Sequence, residues 1–357
     1  MKILIGYGYF PATTGRYLEE KFAAEHQVTF AGTAGIARAG YPPNVDLTDL
    51  TQQLAIQPDL FLYVDSGHCA YLPRSIEKLN YPTAAYLIDV HLGPRLYHPL
   101  AALFDYIFVA QRDYLADYQL APTQRVEWLP LACDPGVHKP LGLPRLFDVG
   151  FVGHASARDQ RGQLLGALAE RFALNDYQRQ YSREEMVIVY NQSKIVFNHA
   201  IRDDVNMRVF EAMACGALLV TNRIGNGLLD LFQEGKHLVI YKTQDELVER
   251  VAYYLAHDDE RQAIARAGQA EVLAHHSYQQ RAEKILSVVF QQAPGARAPL
   301  RGAAEKQLVA QYAELYSKFR LLDASFDLLH LAFSEKQARL TALMQFVAAV
   351  LRRVKYG

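Results

Sequence analysis

Short apolar runs punctuate the first third of the chain. Residues 2–6 (KILIG) are followed by 28–31, 60–64, 84–88 and 106–109. Runs of this length without polar alternation predict strands buried on both faces. Between the first two, residues 15–26 repeat their apolar positions at the helical spacing. Strand, helix and strand in series predict a parallel sheet with βαβ crossovers. The later runs end on polar or small residues: Asp65-Ser66-Gly67-His68, Asp89-Val90-His91 and Gln111-Arg112-Asp113. In such sheets the loops after the strand C-termini line the ligand crevice, so these groups fall where chemistry is expected.

Residues 129–144 (LPLACDPGVHKPLGLP) hold four prolines and read as a linker. A second alternating series follows. Strands are predicted at 147–151, 195–198, 217–220 and 237–241, and helices at 161–170, 183–191, 245–256, 260–275 and 278–291. The fold class is therefore α/β. Two Rossmann-like doubly wound domains are expected at 1–140 and 141–292, with a ligand cleft between them. After a break at 294–300, residues 303–322 and 334–354 have helical periodicity only, which predicts a helical extension over 293–357. Its basic, amphipathic end (VLRRVKYG) suits peripheral contact with anionic lipid or homo-oligomerisation through the helices.

Composition narrows the function. A net charge of −1 gives no footprint for nucleic acid. The three cysteines, Cys69, Cys133 and Cys215, are scattered, which argues against a zinc site or a disulfide scaffold and fits a reducing cytoplasm. The start of the chain lacks signal-peptide architecture, and no apolar stretch is long enough to span a bilayer. A cytoplasmic location is expected, with membrane association through the basic tail.

The densest signal is NMRVFEAMACGALLVTN, residues 206–222. Its apolar residues predict a short buried helix, Gly216 ends it, and a buried strand follows. Glu211 is the one carboxylate between Asp204 and Asp230. It is expected in the first helical turn, where the dipole favours it and where it can accept two hydrogen bonds from a vicinal diol. Asp203 lies eight residues earlier. This arrangement resembles the E-x7-E signature of nucleotide-sugar glycosyltransferases with the GT-B fold. Phe147-Asp148-Val149-Gly150-Phe151-Val152-Gly153, Ser193-Lys194-Ile195-Val196-Phe197-Asn198, the Asn206–Glu211 segment, Tyr253-Tyr254-Leu255 with Arg261–Ala265, and His276-Ser277-Tyr278-Gln279-Gln280-Arg281 follow in order. Together they resemble the C-terminal half of CgeB-like glycosyltransferases, over residues 128–286.

The resemblance implies transfer of a sugar from a nucleoside-diphosphate sugar to an acceptor (glycan, lipid or protein), in cell-surface glycan biosynthesis. It implies a hexosyltransferase-type enzyme with no cofactor and no metal. Glu211 would hold the ribose hydroxyls and Asp203 would face the transferred sugar, although Asp is one methylene shorter than the usual Glu and Asn206 stands where Gly is usual. Arg forks and a helix N-terminus suit a bare diphosphate. Arg158, Arg161, Arg208 and Lys194 are the candidate cations, and Asn206 and Met207 offer backbone amides. Gly153, His154 and His199 lie at strand ends facing the same ligand.

In the first half, Asp89 and His91 are candidate acid/base residues for inverting transfer, with His68 behind them. Gly6-Tyr7-Gly8-Tyr9-Phe10-Pro11 lacks the third glycine of a dinucleotide loop. Gly8 and Tyr9 read instead as a close backbone approach to phosphate or acceptor, with Gly15 starting the next helix. Two rivals stay open: a nucleotide-sugar epimerase on the same fold, and a non-catalytic sugar-nucleotide-binding assembly protein.

Overall fold

The computed structural model describes residues 1–35, 38–65, 71–93, 95, 97–120, 124–291 and 312. The chain forms two compact units. One comprises Met1–Val109 and Tyr114–Trp128 and takes in the described residues from Ile285 onward. The other comprises Ala110–Asp113 and Leu129–Lys284.

In the first unit β1 (Lys2–Gly6), β2 (Gln27–Phe30), β3 (Leu60–Val64), β4 (Thr83–Leu87), β5 (Tyr106–Val109) and β6 (Arg125–Trp128) form one sheet in the order β2-β1-β3-β4-β5-β6. Every pairing is parallel. The order reverses between β1 and β3, so their C-terminal ends flank a switch point. Helices α1 (Thr14–Ala23), α2 (Leu47–Gln53) and α3 (His98–Ala101) connect the strands. The strands β3, β4 and β5 are buried throughout, as their unbroken apolar runs require. Strand β6 (RVEW) and helix α2 had no such run to announce them. The strand is a half-exposed sheet edge, and the helix is set by its cap, the Asp46 side chain accepting from the Thr48 and Asp49 amides.

Gly15 is the second residue of α1. A Cβ there would lie 2.4 Å from the ring of the fully buried Tyr7, so this glycine makes room for a core tyrosine. Of the expected extension, only Tyr312 is described. It is buried, and its hydroxyl donates to Glu77 Oε2 (2.8 Å) and accepts from the Ile76 amide (3.3 Å). The remaining residues of 303–322, 334–354 and the basic tail lie outside the described residues.

In the second unit β7 (Phe147–Gly150), β8 (Ser193–Asn198), β9 (Leu218–Asn222) and β10 (Val239–Tyr241) lie in chain order across a four-stranded parallel sheet. Around them are α4 (Gln160–Ala169), α5 (Arg183–Asn191), α6 (Met207–Ala214), α7 (Leu228–Leu231), α8 (Gln244–Ala256) and α9 (Asp258–His275), and α10 (Tyr278–Gln291) starts in this unit and passes into the first at Ile285, short of the expected end at 292. Val149, Phe151, Ile195, Phe197, Leu218 and Val220 form the core with Leu164, Leu168 and Val251. Gly216 ends α6 with φ of 76°. Its amide donates to Met213 O and that of Ala217 to Ala212 O, satisfying the last helical carbonyls.

The proline-rich segment is a correction to the loose linker expected at 129–144. Arg281 sends Nε to Pro130 O (2.7 Å) and Nη2 to Leu131 O (3.1 Å). Cys133 exchanges backbone hydrogen bonds with His276 and Tyr278. Asn191 bonds both Lys139 O and the Leu141 amide. The conspicuous His276–Arg281 motif is therefore a clasp on this segment. It moves the boundary between units to Trp128/Leu129.

No described helix is long and apolar enough to cross a membrane.

Candidate functional site

Beyond the C-terminal ends of β7 and β8 the chain continues as Val152-Gly153-His154 and as His199. Two arginines fasten these ends. Arg161, in the first turn of α4, donates Nε and Nη2 to His199 O (3.0 and 2.7 Å) and Nη1 to His154 O (2.9 Å). Arg208, in the first turn of α6, donates Nε and Nη2 to Val152 O (3.2 and 2.8 Å) and Nη1 to Asn198 Oδ1 (2.7 Å). Both guanidinium carbons lie over the Phe151 ring, at 5.9 and 4.4 Å from its centroid. Among the described residues neither arginine makes an ion pair. Burial, then the neighbouring Arg208 charge, pull Arg161 down to about 10. The two charges are thus held near each other by neutral acceptors.

Gly153 makes this possible. Its φ is +151°, and a Cβ there would sit 2.4 Å from Arg208 Nη2. Gly153 and His154 are exposed at the rim. Asn206 is the N-cap of α6 in extended conformation, yet its side chain caps no amide. Instead Nδ2 donates to Asn198 Oδ1 (3.2 Å), and the buried Oδ1 has no hydrogen-bond partner among the described residues. Met207, half-buried, opens the helix. The first turn of α6 therefore turns an uncapped, electropositive end toward the rim that carries both arginines.

His199 is buried; its Nδ1 lies 2.8 Å from Tyr241 Oη, and the rings stack at 6.3 Å. Burial, then Arg161, disfavours its charged form. A pocket of about 520 Å³ opens beside it, lined among others by Gln160, Gln163, Asn222, Arg223 and Tyr241. None of these five stood out in the sequence. The available signal was positional, since Asn222 and Tyr241 end strands and Gln160 begins α4.

Other expected residues lie elsewhere. Lys194 enters β8 at the N-terminal end of the strands and pairs with Asp148 (2.8 Å), because the second residue of a strand cannot reach the end of it. Arg158 is exposed in the turn before α4, its amide donating to Ser156 Oγ (3.3 Å). Asp203 is exposed with φ of 60°. Its Oδ1 accepts from the Gly225 amide (2.7 Å) and its carbonyl from Asn226 Nδ2 (2.7 Å), so it clasps a loop and does not cap α6.

Glu211 also departs from expectation. With Asn206 as N-cap it falls in the second turn of α6, past the strongest part of the helix dipole. It is 5% exposed, so its carboxylate is nearly enclosed. Its Oε1 lies 3.4 Å from Nε2 of the fully buried His138. The Asp134 amide donates to His138 Nδ1 (3.0 Å), which assigns the ring proton to Nε2, facing Glu211. Burial holds His138 neutral, down at about 4. Burial pushes the Glu211 carboxyl up to about 7, with Arg208 opposing weakly.

In the first unit Asp89 and His91 are half-buried in the loop after β4. The Asp89 amide donates to Oδ2 of the fully buried Asp65 (3.1 Å). His91 sits in the short 3₁₀ turn that Asp89 precedes. His68 lies outside the described residues. Gly8 is buried, and Tyr9 is half-buried with Arg38 5.0 Å from its ring centroid. A Cβ on Gly35 would meet that ring at 2.3 Å, so this loop packs on its own neighbour.

Residues 150–287 match the family model described as glycosyl transferase-like. No curated protein sequence matches the chain. Among solved structures, HepE of Anabaena, crystallised with UDP-glucose, aligns with a TM-score of 0.59 at 15% identity, over 82% of this chain and all of that one. A glycosyltransferase from Rickettsia africae aligns with a TM-score of 0.60 at 10% identity, over 81% and 98%. Sucrose-phosphate synthase from Thermosynechococcus elongatus gives 0.55 at 12%, over 82% and 98%. The chain thus has the GT-B fold of two Rossmann-like units, and its second unit is glycosyl transferase-like in sequence over residues 150–287.

Proposed function

We propose that the protein is a glycosyltransferase that binds a nucleoside-diphosphate sugar in its second unit. The observation that carries this reading is the Arg161–Arg208 pair, fixed by backbone carbonyls beside Gly153 and the uncapped start of α6. Two preorganised cations, without carboxylate partners among the described residues and beside a helix N-terminus, suit a diphosphate and its departure as leaving group. No metal is needed to balance that charge. UDP is the first candidate nucleotide, since HepE, with the same fold, is known in complex with UDP-glucose.

Glu211 is proposed to take the ribose diol from beneath the same helix. Burial of a carboxylate without a cationic partner destabilises a fold, so packing does not account for its place, and perturbed groups of this kind collect at functional sites. The first unit is proposed to bind the acceptor, with His91 or Asp89 taking its proton. Asp203, tied into its loop, is proposed to reach the transferred sugar only through that loop. A hexosyl donor, the CgeB-like subtype and a role in cell-surface glycan synthesis accompany this proposal.

The test is a thermal-shift panel of UDP-, GDP-, dTDP- and ADP-sugars on wild type, Arg161→Gln and Glu211→Ala. One nucleotide class is expected to raise Tm, and both variants are expected to lose most of that shift. A panel with no stabilising nucleotide overturns the reading. Incubation with donor alone separates the rivals, because an epimerase converts it and a transferase leaves the sugar configuration intact.

A further inference from the structure

The N-terminal ends of the strands of the second sheet carry another set of cations, away from Gly153. Here, before β7 and β9 begin, a cavity of about 370 Å³ is lined by Arg145, Lys194, Arg261, Arg266, Gln262 and Gln269 among others, and among the described residues no carboxylate lines it. Arg145 is held by three carbonyls, one at the end of α5, one at the start of β8 and one just before β9. Its Nη1 donates to Tyr190 O (3.0 Å) and Ser193 O (2.7 Å), and its Nη2 to Gly216 O (2.8 Å). Among the described residues it has no ion-pair partner. Lys194 is paired with Asp148, and Arg261, a buried residue, with Asp258. Arg266 is exposed and bonds the neutral Gln262 Oε1 (3.2 Å). Four cations against two carboxylates leave two positive charges on one small cavity, in a chain whose net charge is −1.

We propose that this cavity binds a phosphate monoester dianion. Its two surplus charges match the dianion, and guanidinium forks match the phosphate oxygens. The anchoring of Arg145 on backbone prepays the ordering of its side chain. Gln262 and Gln269 also line the cavity, their amide nitrogens donating to Asp258 and to Ala214 O. Burial, then the like charge of Arg261, act against the charge on Arg145, and an anion between the two arginines offsets it.

The test uses the full chain, glycerol 3-phosphate as soluble probe, and vesicles of phosphatidic acid in phosphatidylcholine as lipid probe. Titration calorimetry of wild type is expected to give one saturable site per chain. Arg266→Glu changes an exposed residue, so it keeps the fold, and it is expected to weaken binding at least tenfold (~1.4 kcal/mol). Arg145→Gln, with its Tm measured alongside, is expected to weaken it as well. Arg161→Gln, at the other end of the strands, is expected to leave it unchanged. A response to vesicles alone, lost in Arg266→Glu, supports the cavity with a headgroup as the source; a response to the soluble ester supports a free metabolite. Absence of saturable binding to either probe overturns the proposal. So does binding that survives Arg266→Glu and Arg145→Gln, or binding that Arg161→Gln abolishes.

Discussion

The strand-end rims of the two units carry opposite chemistry. The rim of the second unit is cationic: Arg161 and Arg208 stand on carbonyls, with a glycine and an uncapped helix start between them. The corresponding rim of the first unit is acidic and imidazole-bearing. There Asp65 is buried beneath the Asp89 amide, and His91 follows in a short turn. A cationic rim stabilises charge that leaves with a diphosphate, whereas a carboxylate–imidazole rim can accept a proton. On the proposed reading, one architecture used twice serves two tasks, and the difference lies in the loops rather than in the sheets.

The sharpest way to break the contrast is to remove the proposed proton acceptor. His91→Gln is expected to lower kcat about 10²- to 10⁴-fold, as loss of a general base does, while donor affinity stays within about twofold. An unchanged kcat returns His91 to the role of a packing residue and passes the base to Asp89→Asn.

Removing charge from the other rim should show the reverse pattern. Arg208→Gln is expected to weaken nucleotide-sugar binding by roughly ten- to a hundredfold, since a charge-assisted hydrogen bond contributes about 1.5–3 kcal/mol. Gly153→Ala is expected to act in the same direction, because its Cβ takes the place of Arg208 Nη2. Titration of donor into each variant checks both.

Glu211 gives a pH signature. Its folded carboxyl sits at about 7, above the ordinary value of 4.5. Between those values the folded state keeps a proton that the unfolded state has lost, so this group makes stability fall as pH rises. His138, lowered from 6.5 to about 4, acts in the opposite sense over that range and masks the effect in wild type. The difference between Glu211→Gln and wild type isolates it. That difference is expected to be near zero below pH 4.5 and to reach up to about 3 kcal/mol in favour of the variant above pH 7. Urea unfolding at pH 4, 6 and 8 measures it, and a pH-independent difference contradicts the buried placement.

The smallest effect is expected at Lys194. Its half-exposed pair with Asp148 should contribute less than about 1 kcal/mol to stability. Lys194→Met should leave the donor-induced Tm shift unchanged.

These contrasts were unevenly legible in the sequence. Buried parallel strands announce themselves as apolar runs, so β3, β5 and the helix-glycine-strand unit around Gly216 stood out. Edge strand β6 and cap-defined α2 carried no periodic signal and went unseen. Gly153 is readable at a strand end, and Arg161 and Arg208 near helix starts, but their joint geometry depends on carbonyls from separate segments. Lys194 and Asp203 show the limit of spacing arguments. The first is at the wrong end of its strand, and the second is spent on Gly225 and Asn226. Glu211 was marked by its isolation among apolar residues. Its burial against His138 joins positions far apart in sequence and could not be read from either.

The most direct test of the central claim is calorimetric titration of UDP into wild type and into Arg161→Gln at two salt concentrations. A fixed cation pair on the diphosphate predicts tight wild-type binding that weakens with salt. It also predicts a Kd at least tenfold higher in the variant, with a shallower salt dependence. Equal Kd values and equal salt slopes in the two proteins would contradict it.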